Sequence, residues 1–125
     1  MTSLLVAVGG ACGAVSRYGL DGVVRRWCAS PFPWGTLVVN LLGSFLVAVV
    51  TGWAAFGGLG PAWLRPLLVS GLCGALTTFA TFGQDTVRLY TSVGWGAAVR
   101  NVVVTVFGGV VAAAFGLGVV FLLRT

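Results

Sequence analysis

Ser70-Gly71-Leu72-Cys73-Gly74-Ala75-Leu76-Thr77-Thr78-Phe79-Ala80-Thr81-Phe82 is the stretch on which the fold turns. It lies inside an uncharged apolar run long enough to cross a membrane, yet its residues oppose a continuous helix. Gly71 and Gly74 precede three threonines and two phenylalanines, and both Gly and β-branched Thr weaken a helix. Free backbone groups at membrane depth are tolerated only where protein or a polar pathway satisfies them. A helix broken at mid-membrane is a recurrent way to build an ion site from main-chain dipoles. The stretch therefore predicts a transmembrane helix broken at its middle, and places the function there.

Working outward, the composition is that of a membrane protein. The chain has 125 residues, 58% hydrophobic and only 7% charged, with mean hydropathy +1.07. A soluble domain carries roughly 25% charged residues. There is no His and no Lys, and the net charge of +5 comes from seven Arg against Asp21 and Asp85. In a soluble protein so basic a balance would suggest nucleic acid. Here the arginines flank apolar runs, which fits a membrane surface better. Cys12, Cys28 and Cys73 are an odd number without CxxC spacing or accompanying His. Neither a zinc site nor a disulfide framework is indicated, and each thiol reads as a small packing residue.

Four spans follow: from about Ser3 to Val24, Trp34 to Phe56, Leu64 to Tyr90, and Ala98 to Leu123. Each covers the roughly 20 residues that a bilayer core demands. Breakers fill the linkers: Arg25-Arg26 then Pro31-Phe32-Pro33, Gly57 to Pro61, and Thr91 to Gly96. Trp27, Trp34, Trp53, Trp63 and Trp95 all fall at or near span ends, where interfacial anchors belong. The N-terminus lacks the basic start of a signal peptide and reads as a retained helix. The expectation is an all-α membrane protein with a single four-helix domain over residues 1–125.

So small a bundle has little interior in which to hide polar residues. Thr36, Asn40, Gly43, Ser44 and Thr51 recur at helical spacing in the second span, as do Asn101, Thr105, Gly108, Gly109, Ala112 and Gly116 in the fourth. Gly9, Gly13 and Ser16 stand beside Arg17 in the first. Small residues at this spacing also serve plain helix packing, and for the glycines, Ser16 and Ser44 the packing and functional readings stand level. Asn40 is different, because a mid-membrane amide must find a partner or line a wet path. Stripes on several helices also suggest an oligomer.

The polar groups along such a path are donors: the Asn40 amide, the hydroxyls of Thr77, Thr78, Thr81 and Thr105, and Arg17 near a mouth. Asp21 and Asp85 sit near span ends and can pair at helical spacing, Asp21 with Arg17 or Arg25 and Asp85 with Arg88. With no carboxylate deep in a span, a small dual-topology exporter of organic cations is the weaker alternative. Donors suit an anion. Phe79 and Phe82, three apart, share a face if helix resumes after the break, and phenyl edges are positive. Taken alone, a Phe-x-x-Phe pair reads by default as packing aromatics. No enzymatic constellation and no ATP site is visible.

Three segments in order carry a resemblance: Gly9-Gly-Ala-Cys-Gly-Ala-Val-Ser-Arg-Tyr18, Trp34-Gly-Thr-Leu-Val-Val-Asn-Leu-Leu-Gly-Ser-Phe45, and Gly71-Leu-Cys-Gly-Ala-Leu-Thr-Thr-Phe-Ala-Thr-Phe82. Together they closely resemble the Fluc/CrcB family of small fluoride channels, over nearly the whole chain. The resemblance implies a fluoride-selective channel of the cell membrane that passively exports fluoride and relieves its toxicity. It implies an antiparallel, dual-topology-type dimer with two pores along the subunit interface. It also implies a structural Na+, not transported, held by the main-chain carbonyls of Gly74 and Thr77 where the two helix breaks cross. The paired aromatics of the pore map onto Phe79 and Phe82, its asparagine onto Asn40 and the vestibule arginine onto Arg17; Thr81 and Thr105 complete the expected ion pathway.

The chain departs from the family pattern in places. Ala80 stands where relatives often carry Ser, so one hydroxyl of the polar track is missing. The glycine pair before the threonines is Gly74-Ala75, and the fourth-helix counterparts of the pore residues are Asn101, Thr105 and Gly109. Charge placement bears on assembly. Four spans put both termini on one side with Arg65 and Arg124, against Arg25, Arg26, Arg88, Arg100 and, nearer a mouth, Arg17. Two against four or five leans toward termini outside. A dual-topology homodimer should be nearly unbiased, so the lean favours a heterodimer with a homologous chain.

Overall fold

A computed structural model describes residues 1–58 and 60–125; Leu59, in the linker expected before the third span, lies outside the described residues. The chain forms α1 (Thr2–Trp27), α2 (Trp34–Ala55), a wide π-helical segment (Pro66–Cys73), a single turn α3 (Gly74–Leu76), α4 (Phe79–Ser92) and α5 (Trp95–Arg124). Among the described residues, four stretches are long and apolar enough to span a membrane: α1, α2, residues Pro66–Ser92 taken together, and α5. Their bounds match the four expected spans to within about three residues, the usual scatter at helix ends.

Local chemistry explains where each helix stops. Arg25 and Arg26 occupy the last turn of α1, where positive charge complements the helix dipole, and Pro31 and Pro33 follow. Beyond α2, Gly57 takes a left-handed φ of 71°, which a side chain would resist. Gly94, at φ 130°, opens the corner between α4 and α5. The third span is interrupted inside the predicted stretch. Thr77 (φ −74°, ψ 153°) and Thr78 (φ −146°, ψ 118°) are extended, and helix continues on either side.

The helices associate through small residues. α2 packs along α5, and α1 along the π-helical segment. On the second seam the backbones touch: a Cβ on Gly9 would strike the Leu67 carbonyl, and one on Gly13 the Leu72 carbonyl. Such close approach is what small residues permit between membrane helices. Phe32, Leu37, Leu89 and Ala98 form a buried cluster at one end. Elsewhere the surface is apolar, with Phe107, Phe115 and Phe121 exposed, as a bilayer-facing surface requires.

Trp27, Trp34, Trp63 and Trp95 are exposed, and Arg124 stacks over Trp53 at 4.7 Å from the ring centre. Of the two partners expected for Asp21, Arg25 takes the role, at 2.9 Å. The reading of all three thiols as packing residues holds for Cys73 alone, since Cys12 and Cys28 are exposed. They lie on outward-facing parts of α1 and the following linker, where periodicity alone does not say which face turns inward.

Candidate functional site

The break in the third span is held open by a side chain from α2. Thr78 N–H donates to Asn40 Oδ1 at 2.8 Å, and Asn40 Nδ2 donates back to the Thr78 carbonyl at 3.2 Å. One amide thus satisfies both main-chain groups of an extended residue that no helix can satisfy. Thr78 also caps α4: its Oγ1 accepts from Thr81 N–H at 3.2 Å and donates to Thr81 Oγ1 at 3.1 Å. Thr77 turns inward, its N–H and hydroxyl both donating to the Cys73 carbonyl, at 3.0 and 3.1 Å.

These bonds have a consequence for two carbonyls. In an unbroken helix, the Thr78 N–H would bond to the Gly74 carbonyl and the Thr81 N–H to that of Thr77. Both donors are diverted, one to Asn40 and the other to the Thr78 hydroxyl. Gly74 and Thr77 therefore present carbonyl oxygens without their helical partners, and Gly74 is exposed. Uncharged oxygens of this kind suit a hard cation. The residues present therefore fit a Na+ bound through main-chain oxygen.

In front of the break lies a groove of about 330 Å³ whose lining includes Asn40, Ser44, Thr78, Phe79, Phe82 and Thr105. The Phe79 and Phe82 rings are 5.8 Å apart and inclined at 48°. Phe79 is 85% exposed, an arrangement unlike a packed core aromatic. An adjoining recess of about 120 Å³ holds Arg17, Thr36, Thr78 and Thr81 beside Asp21. The six residues expected along the ion pathway thus divide: Asn40, Phe79, Phe82 and Thr105 line the groove, and Arg17 and Thr81 the recess. Thr78 lines both.

Thr78, Asp85, Asn101 and Gly109 depart from the sequence reading. Thr78, counted there only among the donors, is the hinge of the site; its place directly before an aromatic-rich helix start was the available signal. Asp85, placed near a span end, is 7% exposed. It accepts from Thr36 Oγ1 at 2.7 Å and pairs with Arg88 at 3.0 Å. A buried carboxylate is therefore present, but its partners occupy it. Among the fourth-helix counterparts of the pore residues, only Thr105 lines the groove. Asn101 is buried and donates to Thr86 Oγ1 at 2.8 Å. Spacing put Asn101 and Thr105 on one stripe, but α4 covers the first and leaves the second open.

Comparison with known proteins decides the family. The model of the CrcB-like protein, Camphor Resistance (CrcB) family matches residues 4–117. The chain belongs to the CrcB family. This CrcB chain is similar to proteins named fluoride-specific ion channel FluC. The one from Magnetococcus marinus is 45% identical over 112 residues, covering 90% of this chain and 91% of the relative. "Fluoride-specific ion channel FluC 1" of Thermobifida fusca is 40% identical over 120 residues, 96% of each chain. That of Nocardia farcinica is 44% identical over 106 residues, 85% of the CrcB chain and 71% of the relative.

Proposed function

We propose that this chain is a multi-pass channel of the cell membrane through which fluoride passes down its electrochemical gradient. The observation that carries the reading is end-to-end similarity to relatives named fluoride-specific ion channels. The site's chemistry agrees. Fluoride is small and tightly hydrated, so a pore must supply donors at close range in place of water. Asn40 uses one N–H of its amide on Thr78, which leaves a second for the groove. The Thr105 hydroxyl and the Phe79 and Phe82 rings stand beside it. None carries a fixed charge, and conduction requires binding loose enough for release. HF leaks inward as a neutral acid and ionises in the less acidic cytoplasm; a passive pore returns the anion. The chain is a channel and not an enzyme. Organic-cation export is disfavoured because Asp85 is already paired with Arg88.

The finer architecture belongs to the same proposal. The break at Thr77–Thr78 lies at mid-membrane, and the groove is one wall of a pore completed by a second, antiparallel chain. Two features support this: main-chain oxygen cannot face lipid, and Phe79, which lines the groove, is exposed. The carbonyls of Gly74 and Thr77 would hold Na+, whose charge would satisfy exposed main-chain oxygen where the two breaks meet. The Arg distribution favours a homologous partner over an identical one.

The test is fluoride efflux from liposomes containing the purified chain, read with a fluoride electrode, with chloride as control. Fast, fluoride-selective efflux that falls in Phe79→Ile and Asn40→Asp is expected. Absence of efflux both alone and with a co-expressed homologue would overturn the reading. Replacing Na+ with a bulky organic cation throughout purification is expected to abolish efflux, and unchanged efflux would remove Na+ from the proposal.

A further inference from the structure

Behind the groove, hidden from it, runs a short chain of hydrogen bonds. Asn101 on α5 is 2% exposed, one of the most deeply buried side chains in the molecule. Its Nδ2 donates to Thr86 Oγ1 on α4 at 2.8 Å, and the Thr86 hydroxyl donates to the Phe82 carbonyl at 2.8 Å. Thr86 lies one helical turn beyond Phe82, and Asn101 one turn before Thr105. Phe82 and Thr105 both line the groove. The relay therefore ties together the two helices that carry these groove residues, one turn from the groove itself.

We infer that Asn101 is a positioning residue that, through Thr86, sets the separation of Phe82 and Thr105 and hence which anion the groove admits. Asn101 does not touch the groove. A buried amide must be bonded or be costly, and Thr86 is the partner it takes, so the α4–α5 register is fixed where the pair meets. A helix turn is rigid on this scale, and a hydrogen bond tolerates only a few tenths of an ångström. Discrimination between fluoride and chloride is a matter of similar distances, because the ions differ mainly in radius and hydration. Where the helices were held only by apolar contacts, Phe82 could drift from Thr105 without leaving any polar group unpaired. The relay removes that freedom. This inference rests on the fluoride reading for its effect on flux, but its geometric content does not.

The experiment uses Asn101→Leu and Thr86→Val, each with as many side-chain heavy atoms as the native residue, with the double variant and the conservative Thr86→Ser. Fluoride and chloride efflux from liposomes is measured for each. In parallel, 4-fluorophenylalanine incorporated at Phe82 reports the ring's surroundings by 19F NMR in detergent, whether or not the channel conducts. Each single variant is expected to lower the fluoride-to-chloride ratio about tenfold and to move the 19F resonance. The double variant should be no worse than the more affected single, since residues in one network do not act additively. Thr86→Ser, which keeps the hydroxyl, should resemble the native chain. If Asn101→Leu does not yield monodisperse protein, the Thr86→Val and Thr86→Ser pair carries the same comparison. A native-like resonance in folded Thr86→Val overturns the inference, as does a double variant whose losses multiply or a Thr86→Ser as impaired as Thr86→Val. A native chain that passes no fluoride while the resonance moves as expected overturns the fluoride reading and leaves the positioning role standing.

Discussion

Asn40 has two jobs that substitutions can separate. Its amide closes both main-chain groups of Thr78 and also faces the groove. Asn40→Leu leaves the Thr78 N–H and carbonyl unpaired, at about 1–3 kcal/mol for each group. A clear drop in the thermal midpoint in detergent is expected, together with lost efflux. Asn40→Asp keeps an oxygen for the Thr78 N–H but has no N–H for its carbonyl or for an anion. It should lose efflux almost completely with a smaller drop in midpoint; equal midpoints for the two variants would contradict the clamp. Gly43 is a second sensitive position, because a Cβ there would strike Cγ2 of Thr77. Thr77 cannot easily yield, since its hydroxyl is bonded to Cys73. Gly43→Ala should therefore cost about 1–3 kcal/mol and lower efflux. Stability and flux both at native levels would mean that the break is more pliable than its bonds imply.

The third span behaves as two elements joined by a side-chain hinge. What starts α4 is the Thr78 cap, since Thr81 N–H bonds to its hydroxyl. Thr78→Ala removes the cap and should cost about 0.5–2 kcal/mol, whereas Thr78→Ser retains it. Unfolding midpoints of the pair check this, and equal values would remove the cap from the account. The break itself was readable, because Gly71, Gly74 and consecutive threonines disfavour helix wherever they stand. The π-helical turns of Pro66–Cys73 were not. They depend on how the segment lies against Gly9 and Gly13 of α1, which no local propensity encodes. Likewise the bounds of α1, α2 and α5 were legible from Pro, Gly and the Arg25-Arg26 pair. Which face of α5 turns toward α4 was not, and that is why Asn101 reads as a pore residue in the sequence and proves to be buried.

For the molecule as a whole, one end carries Arg25, Arg26, Arg88 and Arg100 and the other Arg65 and Arg124. Asp21 and Asp85 pair with Arg25 and Arg88, but acidic residues weigh little in the orientation of short loops. The chain expressed alone should insert with its C-terminus outside. Paired reporters at the C-terminus, one active only outside and one only inside, check this. Comparable signals from both would establish dual topology and remove the argument for a non-identical partner. The apolar exterior does not separate lipid-facing from chain-facing surface by hydropathy, since both are apolar. In the proposed dimer, a second chain would cover the open groove and the two carbonyls freed at the break.

By itself the sequence determined how many times the chain crosses the membrane, where the third crossing breaks, and to which family it belongs. These rest on hydropathy over about 20 residues, on backbone preferences of single residues, and on motifs contiguous in the chain. Only the tertiary structure decided which polar group answers which. Asn40 meets Thr78 across 38 residues of chain and Thr36 meets Asp85 across 49, and no local rule selects such partners. In a membrane interior an unpaired polar group is costly, so each must find one. Which one it finds is fixed by how the helices are rotated against one another, and that rotation is set by contacts among small residues on several spans at once.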